Sequence, residues 1–595
     1  MSARDPRNFC LRGIAASGGI AIGRAVLIAS SRVGVAHDFI TSDQIGEEVA
    51  RLQRATAAAA GELQRLRGEV PRDAPVELAA LLDVHLMLLQ DEDFNAAVRQ
   101  RIRERLYNAE WAVTAQMEIV ARQFDGMQDE YLRERKADLE QVVERLLRYL
   151  KGAGTLTGAF PASVEQRATR PADGDVPLVL VAHDLSPADM LQFRKSVFCG
   201  FVTDVGGKTS HTAIVARGLD IPAVVGARGA SDMVQPDDWI ILDGETGVLL
   251  VDPAPDLLAE YGARQRRVAQ AKARLAQLIN APSITRDGQR VELLANIERP
   301  SDAPAALAAG TVGVGLFRSE FLFMGRQDNL PGEEEQLAAY RQALDGMQGL
   351  PVTIRTVDVG ADKPLDDERT GAQTNPALGL RAIRWSLAEP EMFLTQLRAI
   401  LRAAAFGPVR LLIPMLGQLS EIRRTRELIA RAREQLDQRA QPHGPLPLGA
   451  MIEVPAAALS IRRFLPYFDF MSIGTNDLVQ YTLAIDRADE AVAHLFDPLH
   501  PAVLGLIADV IAACDAVDKS VSVCGEMAGD PALTHLLLGL GLRRFSMHPA
   551  QLLAVKQQIL RADARVLSGW ARRVVEAEDP ASVLAEGAVG RASPL

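Results

Sequence analysis

At roughly 150 residues per domain, and with a barrel able to absorb about 250, a chain of 595 residues holds two to four domains rather than one compact core. Hydrophobic residues at 48% and charged residues at 24%, with 46 Gly and 32 Pro, exclude disorder and collagen-like or low-complexity scaffolds. The 65 Lys+Arg against 76 Asp+Glu leave a formal charge of -11 with no basic block, which argues against a nucleic-acid partner; no apolar run reaches the roughly 18 residues of a membrane span.

Cys10, Cys199, Cys514 and Cys524 lie far apart, without CxxC or Cys/His metal spacing, so the sequence points to the reducing cytoplasm rather than to a disulfide framework. Along the chain, the apolar stretch Ile14 to Ser30 is interrupted by Gly18, Gly19, Gly23 and Arg24 and reads as a buried strand pair, not a signal segment. From about Asp43 to Leu150 apolar residues recur at three and four positions, as in Leu78, Leu81, Leu82, His85, Leu86 and Leu89, which predicts a helical bundle. β-type runs such as Pro177–Ala182 and Trp239–Asp243 follow it, so the bundle is inserted in an α/β domain. A linker over 152–174 leads back to that domain, and Pro255 to Ile279 reads as a charged helix leading out.

From about Ser283 eight β-type runs alternate with helical stretches. They begin at Val291, Gly313, Val352, Val409, Gly449, Phe470, Ser520 and Arg544, and they fit a (β/α)8 barrel. The chain is thus read as an α/β multidomain protein. An α/β domain over 1–42 and 151–254 carries the inserted helical bundle of 43–150; a linker helix (255–282), a TIM barrel (283–575) and a frayed tail (576–595) follow.

Most of the barrel runs end in a residue with chemical potential, and in this fold those ends meet at one mouth. They bring Arg318, Glu320, Arg355, Asp358, Glu453, Asn476, Asp477, Cys524 and Glu526 together, with Arg487 a few residues beyond. Two readings are open: a structural ion-pair network, or a site in which guanidinium groups hold phosphate or carboxylate while two carboxylates bind Mg2+. A phosphorylated carboxylic acid would satisfy the second. Cys524 is either an inert small core residue or an acid at the mouth. In the first half, a strand passes through Gly206-Gly207 into a helix that presents His211 in its first turn. Free N–H groups and the helix dipole there favour an anion near a nucleophilic imidazole.

Gly206-Gly-Lys-Thr-Ser-His-Thr-Ala-Ile-Val-Ala-Arg217 with Ile221–Gly226 resembles the phosphohistidine signature of the phosphoenolpyruvate (PEP)-utilising enzymes. Gly449–Ala456 and Ser472–Thr482 resemble their PEP-binding barrel. Within that group the chain is similar, over nearly its whole length, to the enzyme I family of the sugar phosphotransferase system. The resemblance implies that PEP phosphorylates His211 through Nε2 in a swivelling phosphohistidine domain, with 255–282 as the hinge. It implies that Arg318, Arg355, Asn476, Asp477 and Arg487 bind PEP, that Glu453 and Asp477 ligate Mg2+, and that Cys524, as a thiol near neutral pKa, protonates the departing pyruvate. The carrier protein HPr would dock on the bundle and accept the phosphoryl group, and the barrel would form a homodimer; Glu77, Asp83, Asp91, Glu92 and Asp93 are the acidic candidates for the HPr face.

The chain departs from the family pattern at Ala361 and around Ala377 and Leu380, which bears on the loop covering PEP, and His548 has no counterpart in that pattern. Two alternatives remain: a non-catalytic or regulatory paralogue, which predicts loss of at least one of these residues, and a nitrogen-type phosphotransferase, which predicts a sensor domain ahead of the first strand. A PEP synthase or dikinase would need a nucleotide-grasp domain for which 595 residues leave no room.

Overall fold

The computed structural model describes residues 8–28, 37–69, 76–125, 130–152, 176–186, 198–207, 211–218, 221–323, 330–359, 377–487 and 492–589. They divide into two compact units, Met1–Gln270 and Ala271–Leu595.

The first unit is built on an eight-stranded mixed sheet of order β1-β8-β7-β3-β4-β5-β6-β2. Its strands are β1 Phe9–Arg12, β2 Ile14–Ser17, β3 Ile20–Ile28, β4 Leu178–Ala182, β5 Phe198–Thr203, β6 Ala223–Val225, β7 Trp239–Asp243 and β8 Val248–Val251. The continuous apolar run of β4 has a direct cause, because both faces of that strand are covered. Leu178, Leu180 and Ala182 pack into the cluster that the bundle helices share. Val179 and Val181 point the other way, against Ala21, Val224, Leu242 and Leu249.

Between β3 and β4 the chain forms the bundle: α1 Ile45–Glu69, α2 Val76–Leu89, α3 Glu92–Arg105, α4 Ala109–Asp125 and α5 Glu130–Leu150. In α5 the buried residues Leu139, Val142, Val143, Leu146, Leu147 and Leu150 recur at helical spacing, and fully burying each contributes about 1.5–3 kcal/mol. Polar contacts tie the bundle to the sheet. The buried Arg145 of α5 donates to Glu62 Oε2 of α1 at 2.5 Å and to Ser186 Oγ, just past β4, at 3.0 Å. A helix then runs from Pro255 to Ala276.

The second unit is a closed parallel barrel whose strands are β9 Glu292–Ile297, β10 Val314–Arg318, β11 Val352–Arg355, β12 Val409–Ile413, β13 Leu448–Ile452, β14 Phe470–Ile473, β15 Ser520–Val523 and β16 Arg544–Met547. All eight expected runs are present, most of them ending one or two residues from where the apolar pattern ended. Leu316, Leu412, Met451, Phe470 and Cys524 form the apolar plug inside the barrel. The tail expected to fray is corrected over most of its length. Pro580–Val589 is a helix, and its Val583 and Leu584 pack against the barrel core, an apolar pair hidden in an Ala- and Gly-rich composition. Among the described residues, no helix is long and apolar enough to cross a membrane.

Candidate active site

Strand order alone assembles the site, because parallel strands place their last residues at the same end of the barrel. Arg318 and Arg355 end β10 and β11, Glu453 and Cys524 stand one residue past β13 and β15, and Asn476 and Asp477 lie in the first turn of the helix Thr475–Leu483 that follows β14. All six, with Arg487, line one cleft together with Asp358, Arg381, Gly474 and Gly525. The cleft is a concave, solvent-open hollow lined mainly by charged and polar side chains.

Its walls are held by buried charge pairs. Arg355 donates to Glu320 and pairs with Asp358 Oδ2 at 3.0 Å. Burial works against the Arg355 charge, but Glu320, Asp358 and Glu453 outweigh it and drive its pKa up, so it stays cationic. Arg318 is more open, donating to Glu298 Oε1 at 2.7 Å. Asn476 is fixed from both sides, donating to Glu526 Oε1 at 3.3 Å and accepting from the Glu526 backbone N–H at 3.0 Å. The backbone N–H of Arg487 donates to Gln480 Oε1 at 3.3 Å, while its side chain is exposed at the rim.

The carboxylates tell a different story. Glu453 is 1% exposed and accepts one bond, from the Met415 N–H at 2.6 Å. Burial, then the neighbouring Asp477 and Asp358, push its pKa up to about 8. Asp477 Oδ2 accepts from Arg381 at 3.2 Å, whereas its Oδ1 is buried without a hydrogen-bond partner. Glu320 Oε2, Arg355 Nε and Thr475 Oγ1 are likewise unpartnered. Buried polar atoms are normally satisfied, so orphans gathered at one mouth mark the place of a ligand. Among the described residues no three His, Cys, Asp or Glu side chains form a ready metal cage. Two carboxylates, one raised and one with a free oxygen, nevertheless fit a hard divalent cation that takes its other ligands from substrate and water.

Cys524 requires a correction. Its sulfur donates to the Ile473 carbonyl at 3.5 Å, and burial pushes the thiol up to about 11 rather than leaving it near neutral. At pH 7 the group is therefore an S–H that holds a proton. His548 caps the turn Pro549–Gln551, its Nδ1 accepting from the Ala550 N–H at 3.3 Å.

His211 lies in the first unit, where it opens the helix His211–Gly218 after β5. Gly206, at φ +116, makes the turn out of the strand, and 208–210 fall outside the described residues. Thr212, next in the chain, anchors the helix by donating to the Leu185 carbonyl at 3.0 Å. The acids expected on the bundle are largely occupied: Asp83 is held by Arg67, Asp91 caps α3 by accepting from the Phe94 N–H at 2.7 Å, and Glu92 pairs with Arg99. The side chain of Glu77 falls outside the described residues, as does Ala361.

Sequence reasoning missed Arg381 and Tyr481. Arg381 donates to Asp358 Oδ1 at 2.9 Å, to Asp477, and to the Tyr481 hydroxyl at 3.2 Å. Its only signal was an Arg returning to the barrel in Leu378-Gly-Leu-Arg381, away from any strand end.

Comparison with known proteins agrees with this geometry. Three parts of the chain match PEP-utilising enzyme families: the N-terminal part over residues 12–135, the mobile domain over 174–247 and the PEP-binding domain over 272–564. The chain belongs to the PEP-utilising enzymes. It is 59% identical to the phosphoenolpyruvate-protein phosphotransferase of Cupriavidus necator over 577 residues, covering 96% of this chain and 97% of that one. It is 40% identical to the Geobacillus stearothermophilus protein of that name, covering 93% of each, and 36% identical to that of Bacillus subtilis, covering 97% and 98%. In this PEP-utilising enzyme the cleft falls within the PEP-binding match and His211 within the mobile-domain match.

Proposed function

We propose that this chain is a phosphoenolpyruvate-protein phosphotransferase: it takes the phosphoryl group of PEP onto His211 and passes it to the histidine of HPr, releasing pyruvate, as the first step of phosphotransferase-system sugar uptake in the cytoplasm. The observation that carries the reading is the convergence of Arg318, Arg355, Asn476 and Arg487 with the Glu453/Asp477 pair and a protonated thiol in one cleft.

Each part has a task. Arg318, Arg355 and Arg487 hold the phosphate and carboxylate of PEP by charge-assisted hydrogen bonds, and Asn476, locked to Glu526, orients them. Glu453 and Asp477 would hold Mg2+, which when bound supplies positive charge to the substrate oxygens. His211 Nε2 attacks the phosphorus in line, the P–O bond of PEP breaks, and the electron pair passes to the enolate oxygen. Cys524 then gives its S–H proton to the methylene carbon, yielding pyruvate, and the thiolate recovers a proton from water.

Because His211 and the cleft belong to separate units, the helix Pro255–Ala276 serves as the hinge that carries the histidine to PEP and back. HPr docks on the bundle, and the barrels pair as a homodimer. The test is transfer: with PEP and Mg2+, the purified chain passes labelled phosphoryl to purified HPr with stoichiometric pyruvate release. Pyruvate release without labelled HPr would refute the carrier assignment.

A further inference from the structure

Asp477, which lines the cleft, has one buried oxygen without a hydrogen-bond partner while its other oxygen is held, and the holding group is itself held. Arg381 Nη2 reaches Asp477 Oδ2 at 3.2 Å and Asp358 Oδ2 at 3.3 Å, while its Nε takes Asp358 Oδ1 at 2.9 Å. The remaining arm, Nη1, donates to the Tyr481 hydroxyl at 3.2 Å, and that hydroxyl donates to the Ala377 carbonyl at 2.6 Å. One acceptor and one donor fix the hydroxyl's orientation and leave the guanidinium no spare rotation. Tyr481 lies one helical turn after Asp477 in the helix Thr475–Leu483, so both are borne by one rigid element.

We propose that Tyr481 is a positioning residue: acting through Arg381, it keeps Asp477 Oδ1 unpaired and aimed into the cleft, and so sets the affinity of the Glu453/Asp477 pair for a divalent cation. The inference rests on the reading of those two carboxylates as metal ligands. Without the hydroxyl, Nη1 loses its acceptor, and the guanidinium, still pinned to Asp358 through Nε, can pivot so that a donor reaches Oδ1 in direct competition with the cation. Groups that orient a ligand in this way change metal affinity by about 10–100-fold when removed.

Tyr481→Phe keeps the ring that packs against the barrel core and deletes only the oxygen. The test is titration of the full-length protein with Mn2+ alone, free Mn2+ being read by electron paramagnetic resonance, for wild type, Tyr481→Phe, Arg381→Lys and Asp477→Asn. The expected result is a Mn2+ dissociation constant raised about tenfold in Tyr481→Phe and at least as much in Arg381→Lys, with binding lost in Asp477→Asn. The Mn2+ concentration giving half-maximal pyruvate release should rise by the same factor in Tyr481→Phe. Unchanged Mn2+ affinity in Tyr481→Phe, with binding lost in Asp477→Asn, would overturn the relay and leave the metal reading intact. Unchanged affinity in Asp477→Asn would overturn the metal reading and the relay with it.

Discussion

Gly474, the residue after β14, faces the Glu453 side chain, and the smallest possible addition there tests whether that carboxylate is held in a working position. A Cβ at Gly474 would meet Glu453 Oε2 at 2.8 Å, Glu453 Cβ at 3.1 Å and Met451 Cγ at 3.3 Å. Ordinary contact begins near 3.4 Å, so the carboxylate oxygen has to retreat by about 0.6 Å. The backbone at Gly474 has φ -88, which alanine adopts freely, so the effect of Gly474→Ala is steric alone. Metal ligands are held to within about 0.2 Å, and a misplacement on the order of 1 Å costs about 10²-fold in rate. Crowding of this kind costs about 1–3 kcal/mol of stability, so the barrel stays folded. We therefore expect Gly474→Ala to bind Mn2+ at least about tenfold more weakly and to phosphorylate itself from PEP on the order of 10²-fold more slowly, with a thermal midpoint a few degrees lower. A lowered midpoint with unchanged Mn2+ affinity and phosphorylation rate would show that Glu453 moves without consequence for the metal, and the assignment would fall.

Further predictions follow from the thiols. Iodoacetamide at pH 7.5 should modify the exposed Cys10 and spare Cys524, which is buried with its pKa pushed up to about 11; rapid loss of Cys524 by peptide mass mapping would contradict that environment. Cys524→Ala should retain PEP binding but release pyruvate about 10²–10⁴-fold more slowly, and a rate within threefold of wild type would return Cys524 to the inert core. Burial pushes Cys514 from 9.0 up to about 12, so the fold favours its neutral form. That stabilisation is complete below pH 9 and is lost as pH rises towards 12, an order of 2–4 kcal/mol at most. Urea midpoints across pH 8–11 should therefore fall less steeply in Cys514→Ala than in wild type, and parallel curves would refute the linkage.

The barrel was legible because its strands, covered on both faces, are continuous apolar runs that end abruptly in charge, as in Leu316-Phe317-Arg318 and Met451-Ile452-Glu453. The same endings named the cleft residues contributed by strands β10, β11, β13, β14 and β15. Arg381 and Tyr481 were not legible, because their part is defined by a hydrogen-bonded return from Ala377 to the helix after β14 rather than by position on a strand. Nor was the state of Cys524, since sequence places a thiol at the mouth but not the burial that keeps it protonated. On the bundle, acidic residues read as a docking face stay exposed but are engaged by Arg67, by Arg99 and by the start of α3, partners that a helical pattern does not reveal.

The most direct test of the account is to incubate the purified chain with Mg2+ and PEP labelled in its phosphate, then examine the stability of the protein-bound label in wild type and His211→Ala. Label that is lost in acid, survives alkali and is absent from His211→Ala, while that variant still binds PEP, is the predicted result. Equal labelling of the two proteins, or no labelling of the wild type despite measurable PEP binding, would contradict it.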